Sequence, residues 1–168
     1  MKYQDAKAHL IQAWGNLGHS WGLNKTMAQI HALLMISPKP LSTEEIMEDL
    51  SISRGNANMN IRALLDWGIV SRISVPGERK EYFKSEKDTW ALARQVARER
   101  RKRELEPIIR VLREVSDVQG GESAEQTREF KKVVKELRGF AEKSDALLET
   151  FIRAEESWFW NSVMKLMK

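Results

Sequence analysis

Residues 41–85, LSTEEIMEDLSISRGNANMNIRALLDWGIVSRISVPGERKEYFKS, change their apolar period within one short stretch. Ser42 followed by Glu45 is a capping box, in which the hydroxyl and the carboxylate each satisfy a free backbone N–H at a helix start. Ile46 and Leu50 then share one helical face. A second helix begins after Ser53, its N-cap, and stops at Gly68. Only Ser51, Ile52 and Ser53 are left to join the two, which predicts a helix-turn-helix. From Ile69 the pattern alternates through Ser71, Ile73 and Val75, as in a half-buried strand. Pro76, Gly77 and Glu78 form a turn, and RKEYFKS returns as a partner strand. A hairpin directly after a helix-turn-helix is the layout of a winged helix. The fold class expected is mainly α with a small β-hairpin wing and a helical dimerisation region.

Upstream, Tyr3, Ala6, Leu10, Ala13, Trp14 and Leu17 have amphipathic-helix spacing. GNLGHSWGLN, residues 15–24, reads as a loop because of its three glycines. A helix carrying Met27, Ile30, Leu33 and Leu34 follows and stops before Pro38 and Pro40. Downstream, Asp88 caps a helix through Trp90, Ala93 and Val96 to about Leu105, and Pro107 opens another with Ile108, Val111, Leu112 and Val115. After Gly120 and Gly121 comes a heptad pattern. One row is Phe130, Leu137, Ser144, Phe151 and Trp158, and its companion is Val133, Phe140, Leu147 and Ala154. Gly139 and the Ser144–Asp145 pair are the candidate bends. The expected organisation is a dimerisation helix and loop over 1–23, a winged helix-turn-helix over 24–87, and a helical dimerisation or regulatory region over 88–168.

The chain has 168 residues, 42% of them hydrophobic and 31% charged, which is enough apolar material for a core. It has no cysteine, hence no disulfide, thiol nucleophile or thiolate metal site. No apolar run approaches membrane-spanning length, and the N-terminus lacks a signal-peptide stretch, so a cytoplasmic location is expected. No phosphate-binding loop, dinucleotide fingerprint or GxSxG occurs, and His9, His19 and His31 lack metal-ligand spacing. Neighbouring carboxylates such as Glu44–Glu45 and Glu155–Glu156 point apart on a helix. An enzyme, a cofactor and a metal are therefore not expected.

Net charge is +4, and residues 51–106 hold the excess, with 13 basic against 8 acidic side chains. A local basic excess suits a polyanion. On a helical wheel of residues 54–67, Ala57, Ile61, Leu64 and Leu65 gather inward, while Gly55, Met59, Arg62 and Asp66 lie opposite. Asn56 and Asn58 flank the outer face, and Arg54 sits at the helix start. Asparagine pairs with adenine and arginine with guanine in the major groove. The helix N-terminus favours phosphate. The bland reading is that Asn and Ser near a helix start serve as caps. The wing tip PGERK exposes Arg79 and Lys80, and Arg72 lies on the first wing strand, where each can meet a phosphate or simply solvate the hairpin. The run at 97–107, with Arg98, Arg100, Arg101, Lys102 and Arg103, reads as a salt-bridged, solvated helix, with long-range attraction to DNA as the alternative. Of six tryptophans, Trp14, Trp21 and Trp90 are the candidates for an aromatic effector cage, against core packing as the alternative.

The segments ISRGNANMNIRALLDWGIV, GERKEYF, EKDTW and RERRKRELEP resemble the GbsR-like branch of the MarR-type winged-helix regulators over about residues 26–110. The resemblance implies a bacterial, homodimeric regulator, often a repressor, that binds double-stranded DNA and is associated with the nucleoid when bound. It carries Arg54, Gly55, Asn56, Asn58 and Arg62 over as recognition-helix positions, and Arg79 and Lys80 as wing positions. It brings no effector with it, so a small-molecule effector is a candidate partner of unknown identity. With Ser53, Met59 and Arg72 added from the wheel and the strand, these residues form the expected DNA-binding set. The competing class is a winged-helix protein-interaction module without specific DNA binding.

Overall fold

The computed structural model describes residues 1–20, 22–121 and 123–166, with only the backbone given at 164 and 166. Two compact units divide the chain, Met1–Leu92 and Ala93–Lys168.

The first unit contains α1 (Tyr3–Ser20), α2 (Lys25–Ile36), β1 (Leu41–Ser42), α3 (Thr43–Leu50), α4 (Arg54–Asp66), β2 (Val70–Ser74), β3 (Glu81–Ser85) and the start of α5 (Thr89–Arg100). The capping box forms as expected: Glu45 N–H donates to Ser42 Oγ at 3.3 Å, and Ser42 N–H to Glu45 Oε2 at 2.8 Å. Ser53 Oγ accepts from Asn56 N–H at 3.3 Å, and Gly68 ends α4 in the left-handed region at φ +67°. Asp88 caps α5 through the Trp90 and Ala91 N–H groups. The wing strands pair antiparallel from Val70↔Ser85 to Ser74↔Glu81. A third strand escapes the sequence reading: β1 is two residues long, pairs with β3 and gives the order β1-β3-β2. Ile30, Leu33, Leu34, Ile46 and Leu64 are the largest fully buried side chains, so the core lies where α2, α3 and α4 meet.

The loop expected from residue 15 is instead helix as far as Ser20. Gly15 and Gly18 are buried in α1, and a Cβ on Gly18 would lie 2.5 Å from that of Ala28, one on Gly15 2.6 Å from Gln29 Cγ. The two glycines let α1 lie against α2, and that packing outweighs glycine's low helix propensity. The packed side of α1 is Ile11, Gly15 and Gly18, whereas Tyr3, Leu10 and Leu17 of the apolar stripe face outward.

His31 is buried in α2, its Nε2 has no hydrogen-bond partner among the described residues, and its ring lies 6.4 Å from that of Trp14. Burial pushes its pKa down from 6.5 to about 4. The folded state thus holds the neutral ring, and its stability is complete above pH 6.5 and falls as the pH drops toward 4. Between pH 7.5 and 4.5 the imidazole should remove about 2–3 kcal/mol of unfolding free energy. Urea titrations should show this part of the slope gone in His31→Leu. Parallel slopes for the two proteins would contradict it.

The second unit continues α5 and adds α6 (Glu106–Glu114), α7 (Ala124–Arg153) and α8 (Glu156–Leu166). The two helices expected around Pro107 are joined without a break by a π-helical turn at Arg101–Leu105, in which Glu106 N–H reaches Arg101 O. Proline lacks an N–H and crowds the carbonyl four residues back, and the widened turn accommodates both. The basic run is ion-paired: Arg100 with Glu104, Arg101 with Glu106 and Asp145, Arg103 with Glu99. Ile109 and Leu112 pack on Val134 and Ala141. Neither Gly139 nor Ser144–Asp145 interrupts α7, which runs 30 residues, about 45 Å. The heptad row instead ends at Phe151, because the chain leaves the helix at Ala154 and the Phe151 and Phe159 rings meet edge to face at 5.2 Å.

Candidate nucleic-acid interface

Helix α4 turns Ala57, Asn60, Ile61 and Leu64 into the core of the first unit. Its other side exposes Arg54, Gly55, Asn58, Met59 and Arg62, with Asn56 half-buried at the border. Met59 is 58% exposed, an unusual position for a large apolar side chain. A Cβ on Gly55 would meet no atom within 4 Å, so packing inside the chain does not require glycine there.

Arg54 and Arg72 are held by carboxylates. Arg54 Nη2 lies 3.0 Å from Glu44 Oε1 of α3, and Arg72 Nη1 lies 2.7 Å from Glu81 Oε1 across the wing. The Glu44 carboxyl sits below its usual range, first because its own backbone N–H donates to it and then because of Arg54, with a smaller pull from Lys80. One carboxylate therefore feels a cation from α4 and a cation from the hairpin. Arg79 and Lys80 are exposed beside Gly77, which turns the hairpin at φ +85°. Arg62 makes no ion pair among the described residues. The arrangement presents amide and guanidinium donors, a methionine and a bare backbone on one surface, beside a charged hairpin tip.

Sequence reasoning overlooked two residues here. Asn60 occupies a core position one turn after Asn56, and a polar residue between Ala57 and Ile61 was the available signal. Glu44, in sequence only one of two neighbouring carboxylates, is brought to Arg54 by the fold. Of the effector-cage candidates, Trp14 and Trp90 are each half-buried, and Trp21 lies outside the described residues. The cavities beside Arg101 and Asp145, at the start of α7 and beside Gly68–Ser71 are not lined by Trp14 or Trp90. No helix among the described residues is long and apolar enough to cross a membrane.

No protein-family model matches the chain. It is 24% identical over 85 residues, 51% of this chain and 46% of the relative, to the HTH-type transcriptional repressor OpcR of Bacillus subtilis. It is 34% identical over 59 residues, 35% of this chain and 36% of the relative, to the HTH-type transcriptional regulator MmpR5 of Mycobacterium tuberculosis. The chain thus spans about half the length of the first of these and about a third of the second. A crystal structure of a transcriptional regulator superposes with a TM-score of 0.68 at 21% identity, covering 88% of this chain and 95% of that one. The winged-helix fold is shared with that protein, and the relatives' names describe transcriptional regulators rather than enzymes.

Proposed function

We propose that this chain is a sequence-specific, double-stranded-DNA-binding transcriptional regulator of the GbsR-like, MarR-type class, acting as a homodimeric repressor on a pseudo-palindromic operator. The observation that carries the proposal is the outward side of α4: Gly55, Asn58, Met59 and Arg62 lie in the open while Ala57, Ile61 and Leu64 hold the helix in place. That side is narrow at its start and rich in groups that read base edges. Ser53 at the cap and the exposed Arg79 and Lys80 are suited to phosphates, and Arg54 and Arg72 become so when their carboxylates release them. Names of the relatives, both HTH-type regulators and one a repressor, support the same reading.

The dimer is supported by apolar rows left open in each unit. In α7, Phe130, Val133, Leu137, Phe140 and Leu147 are exposed at heptad spacing, and in α1 so are Tyr3, Leu10 and Leu17. A two-fold pair of chains presents two recognition helices about 34 Å apart, one turn of B-form DNA. Such a protein works in the cytoplasm, and any effector acts by shifting the spacing of the two helices.

Selection of binding sites from random duplexes tests the proposal. An enriched inverted repeat is expected, and retention on duplex that is insensitive to sequence and salt would refute it. A second expectation concerns Glu44, which competes with phosphate for Arg54. Glu44→Gln should raise affinity for random duplex about two- to fivefold and steepen the salt dependence by about one ion. An unchanged slope in a filter-binding series would show that Arg54 meets no phosphate.

A further inference from the structure

We infer that Asn60 is a positioning residue that makes Asn56 a one-way hydrogen-bond donor toward the major groove, so that Asn56 selects base edges carrying acceptors. The inference rests on the DNA-binding reading above. Asn60 is only 2% exposed. Its Nδ2 donates to the Asn56 backbone oxygen at 2.9 Å and to Asn56 Oδ1 at 2.7 Å. The backbone oxygen can only accept, which fixes which end of the Asn60 amide faces Asn56. The same nitrogen then takes the oxygen of the Asn56 amide.

A carboxamide carries its oxygen and its nitrogen on opposite sides of one carbon. With Oδ1 drawn toward the buried Asn60, the Asn56 Nδ2 is directed away from it, and it has no hydrogen-bond partner among the described residues. The Asn56 backbone N–H is already capped by Ser53 Oγ at 3.3 Å, so the residue is held at both ends. Guanine N7 and O6, adenine N7 and thymine O4 accept such a donor, whereas the exocyclic amine of cytosine does not. Asn58, exposed two residues on, has no such neighbour among the described residues and retains both ends of its amide. Two asparagines on one helix therefore read differently.

Site selection from random duplexes is run on the full chain, as wild type, Asn56→Ala, Asn60→Ala and Asn56→Asp, with thermal melting of each. Asn56→Ala identifies the base-pair column that this residue reads. Asn60→Ala should relax the same column, from about fivefold preference to less than twofold, and leave the other columns alone. Asn56→Asp keeps both acceptors for Asn60 and turns an oxygen outward. It should move that column toward the amine-bearing edges of cytosine and adenine, whether or not Asn60→Ala folds. Asn60→Ala binding all sites equally more weakly with every column preserved, or Asn56→Asp leaving the column preference where it was, overturns the inference. A wild type that enriches no motif refutes the DNA-binding reading itself, and the inference falls with it.

Discussion

A chain carrying Phe140→Glu together with Leu147→Glu is expected to be monomeric and to bind its operator about 10²–10⁴ times more weakly than the wild type. These side chains are 74% and 73% exposed, so each can take a charge without disturbing the Val134 and Ala141 contacts that hold α7 to α6. A second copy that covers them would place the glutamates in an apolar seam, where an unpaired charge is costly. Operator binding falls because each half-site then binds alone, without the effective concentration that linkage supplies. Sedimentation and operator titration at the same protein concentration check both halves. A double variant that stays dimeric at wild-type affinity would mean that this row is not the interface.

Arg62→Ala is expected to weaken operator binding by about 5- to 150-fold while random duplex loses no more than a few-fold. Arg62 is exposed on the outer side of α4, two turns from the capped start, and has no ion pair among the described residues. Its guanidinium is therefore available to pair bidentately with a guanine, a contact that discriminates between bases. A phosphate contact at the same position would lower both affinities equally. Competition titrations with the selected operator and a scrambled duplex separate these outcomes, and equal losses would remove Arg62 from base readout.

The features readable from the sequence are those set by local chemistry. Ser42 and Glu45 cap each other three residues apart, Ser53 caps Asn56, and Gly68 and Gly77 supply left-handed turns. The inward set Ala57, Ile61 and Leu64 follows from helical period alone. What was not legible depends on partners distant in sequence. Gly15 and Gly18 read as a loop until Ala28 and Gln29 are seen against them. The strand at Leu41–Ser42 exists only because Phe83 and Tyr82 offer it an edge. Tyr3, Leu10 and Leu17 have the spacing of a core face, yet the glycines draw a neighbouring side of the helix inward, about a third of a turn away. Asn60 is one more polar residue on an amide-rich helix, and its burial beneath Asn56 emerges only in the fold.

If the outer side of α4 enters the major groove, Met59, in the middle of that side, meets the bases. Because the chain has no cysteine, Met59→Cys creates a single thiol to which a photo-crosslinker can be tethered. Irradiation of the operator complex should join position 59 to bases within each half-site, far above the yield from the same tether on Asn16→Cys at the exposed Asn16 of α1. Yields from position 59 no greater than those from position 16 would contradict entry of α4 into the groove.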